Sequence, residues 1–125
     1  AGLGEGFRLA CCAADRAVVV STTDASALRD AQRTVSVLRN RIPRIHLVVN
    51  RVQPRLLRRL HTTIDDAMDA AGLPLLGIVP EDPQVMLCAN QGQPLILRAS
   101  RGAAVAYLNI AKRLLGQKAP LMKMR

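Results

Sequence analysis

The chain has 125 residues, half of them apolar, and carries 18 Lys and Arg against 9 Asp and Glu for a formal charge of +9. That length and composition suffice for one small domain, and with a single Phe and a single Tyr its core must be built from Val, Leu, Ile and Ala. The positive balance suits an acidic partner such as a nucleotide, a nucleic acid or an anionic lipid, but the arginines are not interleaved with aromatics, which argues against binding nucleic acid by base stacking.

In chain order, three glycines in the first six residues mark a loop, and Phe7 to Ala14 reads as a short helix. Cys11, Cys12 and Cys88 are an odd set without a Cys-x-x-Cys, so they indicate neither a disulfide framework nor a zinc site and read as small apolar residues. Ala17 to Val20 is an apolar, mostly β-branched run without alternation, predicting a strand covered on both faces of a parallel sheet. Ser21 to Asp24 offers helix-capping residues. Ala25 to Arg41 then places Leu28, Ala31, Val35 and Leu38 at helical spacing, closed by Pro43.

The pattern repeats. Ile45 to Val49 predicts a second strand ending at Asn50 and Arg51, followed by a basic, helix-compatible stretch from Arg55 to Leu60. Thr62 to Ala71 predicts a helix, with Gly72 just past its end. Leu75 to Val79 predicts a third strand ending at Pro80, then a short helix over Pro83 to Asn90, a turn at Gly92 to Pro94 and a last helix over Arg101 to Leu115. No apolar run approaches the ~18 residues of a membrane span. Strands alternating with helices predict an α/β fold, part of a doubly wound, mostly parallel sheet with helices on both faces. Ligands in such sheets sit beyond the carboxyl ends of the strands, here Thr22 to Asp24, Asn50-Arg51 and Pro80 to Asp82. Three strands make a small sheet for that architecture, so more strands are expected.

Several segments carry a resemblance. Asn50-Arg51 at a strand end, Gly77-Ile78-Val79-Pro80-Glu81-Asp82-Pro83-Gln84-Val85, Asn90-Gln91-Gly92-Gln93-Pro94-Leu95, Ser26-Ala27-Leu28-Arg29-Asp30 and Arg113 to Gly116 occur in that family's order. Together they resemble the C-terminal half of MinD-like P-loop ATPases, in the MinD/ParA family. Ala1-Gly2 looks like the end of that family's second nucleotide motif, Asp-x-Pro-Ala-Gly. The phosphate loop would lie about a hundred residues earlier by the same resemblance, and no Gly-x-x-x-x-Gly-Lys-Ser/Thr occurs in the 125 residues.

The resemblance implies ATP and Mg²⁺ as cofactors of the full-length parent, with Gly2, Asn50, Arg51, Pro80, Glu81 and Asp82 bordering the nucleotide. Asn50 would read adenine, since a side-chain amide offers donors and an acceptor; by the residues alone a turn-forming Asn at a strand end is the favoured reading. Arg51 would lie over the base or point to water. Gly2 could bring a backbone N–H close to phosphate. Asp24, Ser26, Arg29 and Asp30 would form the face of an ATP-dependent homodimer, where cell-division regulators of the MinC and MinE type dock. Gln32 stands where the family often has a second acid. The same residues also fit a capped, solvated helix.

The implied domains are 1–116, the C-terminal portion of the ATPase domain, and 117–125, a basic tail. By the same resemblance Lys118, Leu121, Met122, Lys123, Met124 and Arg125 of the tail would bind membrane; by the residues alone, with Pro120 and no aromatic anchor, the tail also fits a disordered basic end. The implied function is septum site determination at the inner face of the cell membrane, coupled to ATP hydrolysis, with this chain alone inactive. Two alternatives stand beside it. One is a ParA-like partition ATPase binding DNA through Arg55, Arg58 and Arg59; the other is a non-enzymatic half-domain adaptor. His46 and His61 have no acid or cysteine spaced to make them metal ligands, and no metal site is predicted.

Overall fold

A computed structural model describes residues 2–124. Three parallel strands, β1 (Arg16–Ser21), β2 (Arg44–Val52) and β3 (Leu75–Pro80), form one sheet in the order β1-β2-β3. Among the described residues seven helices surround them: α1 (Glu5–Ala13), α2 (Ala25–Leu38), α3 (Pro54–Arg59), α4 (Ile64–Ala71), α5 (Pro83–Asn90), α6 (Leu95–Arg98) and α7 (Ala103–Leu114). The predicted strand–helix alternation is therefore present, with parallel pairing throughout.

The two faces of the sheet are covered unequally. On one, Val19, Leu47, Val49 and Ile78 pack with Ala31, Val35 and Leu38 of α2 and with Ile64, Ala67 and Ala71 of α4. On the other, Val48, Leu76 and Val79 meet Ala103, Ala106 and Ile110 of α7. Gly77 allows α7 this approach, because a Cβ there would lie 2.3 Å from Ile110 Cγ1. That second cover stops short of β1. Val18 and Val20, expected inside, are 40% and 59% exposed. Their composition is that of a two-sided strand, while this chain places a layer on one side only. The expectation of further strands has the same origin.

Smaller differences are local. Asn50 and Arg51 lie within β2, which runs on to Val52, rather than after it. The last helix starts at Ala103, and α6 follows the Gly92–Pro94 turn. Cys11 and Cys88 are buried as small apolar residues, but Cys12 is exposed. Thr63 and Asp66 form a reciprocal capping box at the start of α4, and Gly72 ends it in the left-handed conformation. No helix of the described residues is long and apolar enough to cross a membrane.

Candidate functional site

The carboxyl ends of β2 and β3 are held in an irregular geometry. Val49 pairs with Ile78 and Val52 with Pro80, so β2 spends one more residue than β3 over the same span. That extra residue is a bulge at Asn50-Arg51, and Arg51 takes a φ of 53°. Bulges of this kind re-aim side chains and recur beside binding sites. The Glu81 N–H donates to the Val52 carbonyl at 3.0 Å and Arg51 Nε donates to Glu81 Oε2 at 2.9 Å, tying the two strand ends together. The ion pair is largely solvent-exposed and contributes at most about 1 kcal/mol.

Asp82 is placed differently from its sequence expectation as a nucleotide neighbour alone. Its Oδ1 accepts from Gln84 N at 2.9 Å and caps α5, while its Oδ2 accepts from Ala103 N at 3.0 Å and caps α7. Gly102 makes room for this: its φ is 59°, and a Cβ there would sit 2.5 Å from Asp82 Oδ2. The acid therefore joins the third strand-end loop to the helix behind the sheet.

Asn50, Arg51, Pro80, Glu81 and Asp82 line one cleft of about 690 Å³. Tyr107 and Met86 are also part of its wall, with other residues of α5. Tyr107 escaped the sequence reading because its only signal is its place on the amphipathic last helix. The chemistry available is a half-buried amide, a flexible guanidinium and apolar surface, which fits a flat heterocycle better than a small anion. Among the described residues no group of three or more His, Cys, Asp or Glu could hold a metal ion.

The other predicted residues lie elsewhere. A groove of about 670 Å³ runs along the open side of β1, lined by Val18, Val20, Thr22 and Asp30, and Asn50 borders it as well as the cleft. Gly2 lines neither cavity and has a φ of 78° with open space around it. Ala1 and Arg125 lie outside the described residues. Asp24, Ser26, Arg29 and Asp30 are all exposed at the start of α2. Residues 117–124 form no helix.

Asp24 caps α2, accepting from Ala27 N at 3.0 Å and from the Thr22 hydroxyl. Those bonds, the Thr22 hydroxyl first, hold its carboxyl below the ordinary value of 3.8. Asp24→Ala is expected to cost about 1 kcal/mol, as loss of an N-cap does. A lowered folded-state pKa stabilises fully above the ordinary value and is lost as pH falls through the folded one. The gap between wild type and variant in urea unfolding should then be full at pH 7 and shrink in acid below 3.8. An equal gap at both pH values would show that ionisation is irrelevant to the cap.

No family model matches the chain. Septum site-determining protein MinD of Bacillus subtilis is 39% identical over 124 residues, covering 97% of this chain and 46% of that protein. The MinC:MinD cell division complex of Aquifex aeolicus superposes with a TM-score of 0.91 at 30% identity, covering 98% of this chain and 51% of that one. The cell division ATPase MinD of Pyrococcus furiosus gives 0.80 at 25% identity, covering 93% and 48%. The chain thus spans about half the length of the curated relatives it matches.

Proposed function

We propose that this chain, which follows the C-terminal half of MinD proteins in sequence and fold, supplies the base-binding end and the partner face of a division-site ATPase. The observation that carries the reading is the convergence of Asn50, Arg51, Pro80, Glu81 and Asp82 on one cleft at the carboxyl edge of a parallel sheet. Asn50 would pair with the edge of adenine, and Arg51 would cover it after leaving Glu81. Gly2 would approach the terminal phosphate. When bound, ATP with Mg²⁺ supplies the phosphoryl group and its charge neutralisation. This chain's own residues orient the base. Nothing among its described acids makes a metal set, so Mg²⁺ would be held outside them.

The open groove beside β1 supports the same reading, because its valines ask for the layer that relatives of twice this length have room to provide. Asp24, Ser26, Arg29 and Asp30 would face a second copy or a regulator of the MinC type, and all four residues are exposed, although the Asp24 carboxylate is already engaged in capping α2. Attachment to an anionic membrane at the cytoplasmic face would use Lys118, Leu121, Met122, Lys123, Met124 and Arg125. The basic side chains would contribute about 1 kcal/mol each near such a surface.

The test is Asn50→Ala in the full-length protein. Loss of a base-reading pair should weaken ATP binding by about 1–3 kcal/mol and erase the preference for ATP over GTP. Calorimetry with both nucleotides measures it. Unchanged affinity for each, with the circular dichroism spectrum intact, would return Asn50 to a purely structural place in the bulge.

A further inference from the structure

Residues after α7 do not trail into solvent. The Ala119 carbonyl accepts from Arg113 Nε at 3.1 Å and also from the other end of that guanidinium, and the Pro120 carbonyl accepts from Asn109 Nδ2 at 3.2 Å. Arg113 NH1 also donates to the Leu76 carbonyl at 3.0 Å. Leu76 is the extra residue where the β2–β3 register shifts, since Leu47 pairs with Leu75 but Val48 with Gly77. One partly buried guanidinium thus serves an irregular carbonyl of the strand and fixes the segment beyond the helix.

Where the segment goes next is informative. Asn109 and Arg113 belong to α7, on one face of the sheet, whereas Met122 packs into the core of the opposite face with Leu57, Ile64 and Ile78. To join both, residues 117–122 must cross the outer side of β3, the strand edge that has no neighbour in the sheet among the described residues. Uncovered edges of this sort invite pairing with another chain, and covering them with a loop is a common remedy. Leu121 and Met124 stay 42% and 39% exposed beside the crossing.

We propose that residues 117–124 are a releasable strap over the β3 edge, held by Arg113 and Met122, and that a lipid surface competes with the fold for its apolar side chains. The strap stands on the contacts above; the competitor rests on the membrane reading given under Proposed function. Binding is reciprocal: whatever draws Met122 onto lipid uncovers β3, and whatever tightens the strap weakens the lipid-bound form. The protein then has two exclusive states of one segment.

Limited trypsin digestion of the full chain tests the strap, because the exposed Lys118 precedes the pinned Ala119. Arg113→Leu and Met122→Ala should each speed cleavage after Lys118 and Lys123 about tenfold, with cleavage before residue 113 unchanged. Unchanged cleavage after Lys118 in both variants overturns the strap. So does uniform acceleration at every site, which would make both residues ordinary core. Sedimentation with phosphatidylglycerol–phosphatidylcholine vesicles tests the competitor. Arg113→Leu leaves the tail sequence intact and should pellet severalfold better than wild type. Faster cleavage without better pelleting overturns lipid as the competitor while the strap stands.

Discussion

Asp82→Ala is expected to lower the unfolding free energy by about 2–3 kcal/mol, more than any other single polar substitution at the strand ends. The side chain caps two helices at once, through Gln84 N on α5 and Ala103 N on α7. Losing one cap costs about 0.5–2 kcal/mol. The second donor is partly buried, and leaving it unpaired adds a desolvation penalty of about 1–3 kcal/mol in the unfavourable case. For a domain of this size the sum corresponds to a fall in Tm of roughly 10 °C. Asp82→Asn keeps one acceptor oxygen and should lose about half as much. Gly102→Ala attacks the same contact from the other side, since its Cβ would press on Oδ2 from a positive-φ backbone. Thermal and urea unfolding of the three variants would check this. A loss below about 0.5 kcal/mol for Asp82→Ala would mean that water replaces the carboxylate at both helix ends.

The double cap explains why the sequence places Asp82 in a strand-end loop but does not reveal it as a link in the fold. Its partner at Gln84 is two residues away and follows the ordinary rule for helix starts. Its partner at Ala103 is 21 residues away, and no local pattern announces it. The same division runs through the whole chain. Strands and helices were readable because apolar spacing fixes them locally: Ala31, Val35 and Leu38 are buried as their periodicity requires. The ends of β2 and β3 were readable as neighbours because parallel topology puts them together, while Thr22 after β1 lines a separate groove. The bulge at Asn50-Arg51 was not, because it depends on the register between two strands rather than on either one.

Val18 and Val20 show a different limit. Their composition describes a strand with both faces covered, and it remains a correct description of what those side chains require. The described residues leave Val18 and Val20 of β1 exposed. The tail shows the converse. Its mixture of apolar and cationic residues is suited to lipid and to the protein's own core, and only the fold reveals that Met122 packs against the second. Composition states what a segment can bury, while the neighbours available decide where it does so.

The isolated 125-residue chain should bind Mg-ATP no more tightly than about millimolar and should not hydrolyse it. The residues that converge on the cleft can hold the base, but their net contribution is small. One neutral hydrogen-bonded pair contributes about 0.5–1.5 kcal/mol, and the exposed Arg51 must first leave Glu81. Tight nucleotide binding in P-loop proteins draws on a glycine-rich loop that cradles the phosphates, with a Lys on the terminal groups. No such pattern occurs in this sequence. Forgoing roughly three charge-assisted hydrogen bonds at about 1.5–3 kcal/mol each weakens binding by more than about a thousandfold. Hydrolysis requires the same groups, since phosphoryl transfer is catalysed mainly by positioning and charge stabilisation around the transferred group. Calorimetry with Mg-ATP and a phosphate-release assay measure both quantities. A micromolar Kd for the isolated chain would place the phosphates on residues within it and sink the proposal that Asn50, Arg51 and the Pro80–Asp82 loop serve only the base. Millimolar or weaker binding without phosphate release is the expected result.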